Sequence, residues 1–166
     1  VEELRSSFAS ESEISGRTTK DLPYLTAVLQ EGMRLCPPIP DNMHREVPKG
    51  GVVVAGYMVP EGVTVGISCF SMFRSKENFV SPDEFIPERW LRRVGDESSP
   101  YVNDKHDAFH PFSVGLHGCL GQQLAWFELR SIMTRLLWNF DLRLPKGSTP
   151  NVWTSQKIFW AWEKEP

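Results

Sequence analysis

Two stretches of the chain carry helical periodicity, one early and one late. Leu22, Leu25, Val28, Leu29 and Leu35 recur with the three-to-four-residue step of a helix. They predict a helix from 22 to about 35. Asp21 stands where an N-cap belongs and Pro23 falls in the first turn. Pro37-Pro38 closes the pattern, because a residue before proline avoids the helical region. The second stretch begins near Cys119. Leu120, Leu124, Phe127, Ile132, Met133, Leu136, Leu137 and Phe140 fall on one face, with Trp126 and Trp138 beside it and Pro145 marking the end.

Elsewhere the pattern is shorter or absent. Residues 1–9 read as the tail of a helix and 10–20 as a polar loop. Residues 43–47 look extended. Val52-Val53-Val54, Ala55-Gly56 and Tyr57-Met58-Val59 form a strand, a turn pair and a second strand, which reads as a hairpin. Thr64–Ile67 reads as another brief strand and 68–75 as a short helix. Residues 76–118 show prolines, aromatics and charges with little periodicity. A loop that long is more often functional than idle. Near the end, Ile158-Phe159-Trp160-Ala161-Trp162 is an apolar, strand-like piece.

Composition narrows the class without naming a chemistry. The 166 residues match one ordinary domain, and 40% hydrophobic with 23% charged is usual for a globular chain. A formal charge of −3 argues against a nucleic-acid binder, although it leaves room for a local basic docking face. The three cysteines, Cys36, Cys69 and Cys119, are too few and too odd for a secreted disulfide framework and fit thiols that stay free. No apolar run is long enough to span a bilayer, and no signal peptide is visible. The first residue is Val1 rather than Met, which suits a processed product or a piece of a longer protein.

The chemistry concentrates in Phe112-Ser-Val-Gly-Leu-His-Gly-Cys-Leu-Gly121. This loop places a lone thiol, Cys119, at the mouth of the second helix, where unpaired N–H groups and a partial positive charge favour the thiolate. Gly115, Gly118 and Gly121 strip side chains from around the sulfur, and Phe112 is placed to shield it from water on one side. Three readings follow. A free cysteine is often a small buried hydrophobe. His106, His110, His117 and Cys119 are close enough in sequence to raise zinc, although their spacing matches no common zinc pattern. A single protected thiolate facing a planar partner suits a haem iron.

Phe112-x-x-Gly115-x-His117-x-Cys119-x-Gly121 resembles the haem-binding signature of the cytochrome P-450 superfamily, the haem-thiolate monooxygenases. Histidine stands at 117 where the family usually carries arginine, and it keeps a donor there. Two further motifs follow the family order. Glu31-x-x-Arg34 lies on the first helix just before Leu35-Cys36-Pro37-Pro38. Pro87-Glu88-Arg89-Trp90 resembles the family's P-E-R-F segment, with tryptophan in place of phenylalanine. Glu2-Glu3-Leu4-Arg5 also fits E-x-x-R, and no role is assigned to it.

The resemblance runs from about residue 1 to 166 and implies a mainly α fold with small β-sheets, the C-terminal portion of the cytochrome P-450 fold. It further implies a single partial domain, 1–166, with Cys119 as the axial thiolate of haem b (iron protoporphyrin IX). Phe112, Gly115, His117 and Gly121 belong to its loop. His117 and Arg45 stand where the family contacts haem propionates, with His44 beside Arg45. Glu31, Arg34 and Arg89 correspond to the triad that locks the loop. The expected reaction inserts one oxygen atom from O2 into a small organic substrate, with electrons from an NADPH-dependent flavoprotein reductase. The stretches "VPKGG" and "GYMVPEG" look closest to filamentous-fungal members active in secondary metabolism.

The oxygen-activating A-G-x-[DE]-T helix and the N-terminal membrane anchor of the family have no counterpart in these residues. The chain alone is therefore expected to be inactive and marginally stable, and the full-length protein to lie on the cytosolic face of the endoplasmic reticulum membrane. The alternatives are a truncated, non-catalytic haem-binding product and a haem-thiolate isomerase or dehydratase.

Overall fold

A computed structural model describes residues 1–91, 97–147, 156–158 and 161–163. Among them it is mainly helical, with α1 (Glu2–Ser7), α2 (Pro23–Leu35), α3 (Cys69–Phe73) and α4 (Gln122–Asn139). The strands are short: β1 (Arg45–Glu46), β2 (Val52–Val54), β3 (Tyr57–Val59), β4 (Thr64–Val65), β5 (Lys157–Ile158) and β6 (Trp162–Glu163). They pair antiparallel as β1 with β4, β2 with β3 and β5 with β6.

α2 forms where its periodicity places it. Leu22, Leu25 and Leu29 are buried together, and Phe8, Trp126, Leu129 and Met133 pack against them. Burying each leucine contributes roughly 1.5–3 kcal/mol. The N-terminus is not capped by Asp21, however. Leu22 holds the cap position without a side-chain bond. The Glu3 carboxylate instead accepts the N–H groups of Tyr24 at 2.9 Å and Leu25 at 3.0 Å. Asp21 ends a separate tight turn, Thr18–Asp21, one residue before the cap position. Arg5 does the reverse for α4, donating to the carbonyls of Leu137 at 3.1 Å and Phe140 at 3.4 Å and pairing with Asp141 at 2.9 Å. Glu3 and Arg5, which the sequence left without a role, thus fasten the start of α2 and the end of α4. The C-terminal end of α2 is held by Arg74, which donates to the Leu35 carbonyl at 3.0 Å.

The β2–β3 hairpin forms as the sequence predicts. Ala55 and Gly56 both take positive φ, +49° and +85°, the combination a tight two-residue hairpin needs. β4 stops at Val65, two residues short of the expected strand. α3 is begun by the Ser68 hydroxyl, which accepts the Ser71 N–H. Among its described residues, the segment from 76 to 118 holds three single-turn helices, Pro87–Trp90, His106–Ala108 and Gly115–His117. At the tail, β5 and β6 pair antiparallel where one strand was expected, and Phe159 and Trp160 lie outside the described residues. Trp162 anchors β6 by donating to the Pro37 carbonyl at 2.7 Å and meeting Phe70 edge-on.

α4 departs most from expectation. It begins at Gln122, just after Cys119, and ends at Asn139, well before Pro145. Its apolar stripe is not collected into a core. Trp126, Leu129 and Met133 face α2, whereas Leu124, Phe127 and Ile132 are exposed. Between α2 and α4 lies an apolar cavity of about 600 Å³ whose lining includes Met33, Cys36, Phe85, Phe112, Leu129 and Ile132.

Candidate functional site

Glu31 and Arg34 are one helical turn apart on α2, and both are wholly buried. Arg34 holds the Glu31 carboxylate in a fork, through Nε to Oε2 and through its terminal nitrogen to Oε1, each at 2.9 Å. Its other nitrogen donates to the Phe73 carbonyl at 2.8 Å and the Pro82 carbonyl at 2.6 Å. Arg89, also wholly buried, arrives from the Pro87–Trp90 turn and donates through Nε to Glu31 Oε1 at 3.2 Å. The Ile86 N–H reaches the same oxygen at 2.9 Å, and the Trp90 indole N–H reaches Oε2 at 2.9 Å. The structure therefore brings together the three residues picked from E-x-x-R and P-E-R.

Two further members were missed. Asp104 is buried and pairs with the far end of Arg89, while its other oxygen accepts the Val80 N–H at 2.7 Å. The cluster then holds two carboxylates and two guanidiniums and is formally neutral. A buried unpaired charge is costly. Counting charges would have flagged the gap, since one glutamate between two arginines leaves a surplus positive charge. Trp90 was noted only as an aromatic replacement, yet its N–H is the part that reaches the carboxylate. Phe79, wholly buried, lies under both guanidiniums, with the Arg34 and Arg89 carbons 5.3 and 5.8 Å from its ring centre.

Burial pushes the Glu31 carboxyl up. The hydrogen bonds from Arg34 and the Ile86 N–H, the Arg34 charge and the Trp90 N–H more than offset it, and the net displacement is downward from the ordinary value. Cys36 and Cys69 are half-buried, and burial pushes both thiols up, with the Arg74 charge opposing this at Cys36.

Cys119 differs from them in being exposed. Its N–H donates to the Phe112 carbonyl at 2.8 Å, which folds the loop back on itself, and its carbonyl accepts the Gln122 N–H at 3.3 Å at the first turn of α4. Gly115 has φ +64°, where a side chain would be strained. Gly121 has an ordinary φ, and an added Cβ would meet only the Cys119 sulfur at 3.8 Å. Among the described residues nothing fills the space a side chain at 121 would take, so the sulfur is left open on that side. Leu116 and Leu120, on either side of Cys119, are 102% exposed. An exposed thiol flanked by uncovered leucines and bare glycines fits a flat, largely apolar group carrying a metal that takes sulfur.

The Phe112 ring turns toward Trp126 of α4, with centroids 6.1 Å apart, and lines the cavity between α2 and α4. His117 is exposed at the end of the Gly115–His117 turn. Arg45 sits on β1 opposite Val65 and donates to the neighbouring His44 carbonyl at 2.7 Å. Among the described residues no hydrogen bond or ion pair links the side chains of His117 and Arg45 to each other or to Cys119. His106, His110, His117 and Cys119 do not assemble either: no described group of three or more His, Cys, Asp or Glu could hold a metal ion. No described helix is long and apolar enough to cross a membrane.

Comparison with known proteins supplies the wider frame. The sequence profile of the family described as Cytochrome P-450 matches residues 1–164. The chain is 43% identical over 166 residues to the cytochrome P-450 monooxygenase efuB of Hormonema carpetanum, covering 100% of this chain and 32% of that protein. It is 42% identical over 166 residues to the cytochrome P-450 monooxygenase astJ of Aspergillus oryzae, with the same coverage. It is 43% identical over 168 residues to the averantin hydroxylase of Dothistroma septosporum, covering 99% of this chain and 31% of that protein. The chain spans about a third of the length of these curated relatives.

Proposed function

The chain belongs to the cytochrome P-450 family, and we propose that it is the C-terminal, haem-holding part of a fungal monooxygenase of secondary metabolism. Cys119 is the protein ligand of the haem iron. Phe112, Gly115 and Gly121 shape the loop that presents it. His117 and Arg45 hold the propionates of haem b. Glu31, Arg34 and Arg89, with Asp104 and Trp90, hold the scaffold against which the loop is set. When bound, the haem supplies dioxygen activation, in which one oxygen atom enters an organic substrate and the other leaves as water, with electrons and protons delivered from outside.

The observation that carries this reading is Cys119 itself: an exposed thiol, fixed at its backbone by the Phe112 carbonyl and surrounded by glycines and uncovered leucines. This chain's contribution is then to fix the sulfur, to keep bulk away from it, and to offer cationic or hydrogen-bonding groups to carboxylates. Residues 1–166 form one partial domain, inactive alone: they span about a third of the relatives' length and hold no A-G-x-[DE]-T oxygen-activating helix. The full-length protein takes a small organic substrate, receives electrons from an NADPH-dependent flavoprotein reductase, and sits at the cytosolic face of the endoplasmic reticulum membrane through an anchor outside these residues.

The test is Cys119→Ser in the full-length, haem-loaded protein. It abolishes the thiolate-type Soret band of the reduced carbonyl complex. A mutant that keeps that band removes Cys119 from the iron.

A further inference from the structure

We propose that Trp90 is a positioning residue for Cys119, joining the buried Glu31 carboxylate to the segment that carries the thiol loop. The proposal rests on the reading of Cys119 as the iron ligand. Trp90 closes the Pro87–Trp90 turn, and its indole N–H reaches Glu31 Oε2 at 2.9 Å, an oxygen otherwise held by Arg34 Nε. Glu31 is wholly buried, so water does not replace a lost donor.

The ring of Trp90 lies against the chain that leads to the loop. Its centroid is 4.6 Å from that of His106, with the planes 32° apart, and 4.7 Å from that of Phe109. Phe109 also packs on the wholly buried Phe73 at 5.0 Å. Shortly after Phe109 comes Phe112, whose carbonyl receives the Cys119 N–H. A contiguous path therefore runs from the Glu31 carboxylate through the indole to Phe109, along the backbone to Phe112, and across one hydrogen bond to Cys119. Phenylalanine at 90 keeps an aromatic ring against His106 and Phe109 but has no N–H for Glu31. Leucine keeps neither.

The experiment compares wild type, Trp90→Phe and Trp90→Leu in the full-length, haem-loaded protein. Three quantities are followed: haem content, thermal unfolding midpoint, and the rate at which the thiolate-type spectrum of the reduced carbonyl complex gives way to the thiol type. Trp90→Phe is expected to keep haem content and to lower the midpoint modestly while losing the thiolate signature about tenfold faster, the scale of one lost hydrogen bond to a charged group. Trp90→Leu loses it faster still. The proposal is overturned if Trp90→Phe converts at the wild-type rate. It is equally overturned if Glu3→Ala, a destabilised variant off this path, loses the signature as fast as Trp90→Phe, because the indole is then a purely structural support. A failure of the underlying reading looks different: wild type shows no thiolate signature, or Cys119→Ser retains it.

Discussion

Glu31 sits beyond the reach of solvent, so every donor on its carboxylate belongs to the protein. Glu31→Gln leaves two buried guanidiniums facing one carboxylate, and removing one partner from such a set costs about 3–5 kcal/mol. Asp104→Asn creates the same imbalance from the other side, and its loss of stability falls in the same range. A urea titration of the full-length variants measures both, and an Asp104→Asn midpoint equal to wild type would remove Asp104 from the balance. Acid acts on the same residue. Because the folded carboxyl titrates below its ordinary value of 4.5, the unfolded chain binds more protons than the native one on the way down. The stability Glu31 supplies is complete above that ordinary value and is lost as pH falls through the lower folded value. Unfolding curves for Glu31→Gln and wild type therefore converge only in acid below the usual carboxylate range. Glu31, Arg34 and Arg89 were legible because their spacing matched a known arrangement. Asp104 lies in an aperiodic stretch, and only the fold brings it to Arg89.

At the scale of elements, α2 and the β2–β3 hairpin were legible for local reasons: a leucine stripe in one, and a turn pair tolerant of positive φ in the other. The cap of α2 was not, because the groups that satisfy its first N–H donors come from α1, far back in the chain. Glu3→Ala removes both acceptors and is expected to lower stability by about 1 kcal/mol, the usual worth of a lost cap. Hydrogen exchange locates the effect: the Tyr24 and Leu25 amides lose protection while α3 is unchanged. If protection at those amides is untouched, Glu3 is not the cap. The exact first residue of α4 was not legible for a related reason. The loop's closing bond, Cys119 N–H to the Phe112 carbonyl, pulls Cys119 back into the loop and leaves the helix to begin at Gln122. Side-chain periodicity carries no record of that bond.

For the whole molecule, an amphipathic pattern says that a face wants cover, not which part of the protein covers it. Leu124, Phe127 and Ile132 of α4 are exposed, as are Leu116 and Leu120 of the loop. Residues 1–166 expressed alone are expected to bind a hydrophobic-surface dye and to self-associate, and Leu124→Gln with Ile132→Gln reduces both; light scattering and dye titration report the change. The same view sorts the ion pairs by where they sit. Those tying α4 to the N-terminal residues, Arg5 with Asp141 and Arg135 with Glu11, are open to solvent. Those tying α2 to the 80–104 segment, Glu31, Arg34, Arg89 and Asp104, are shut away from it. Mobile ions act over about 8 Å in physiological saline and reach only the first set. Rising ionic strength therefore divides the protein along a seam: the N-terminal clasp on α4 slackens, while the buried charged knot on α2 is screened far less.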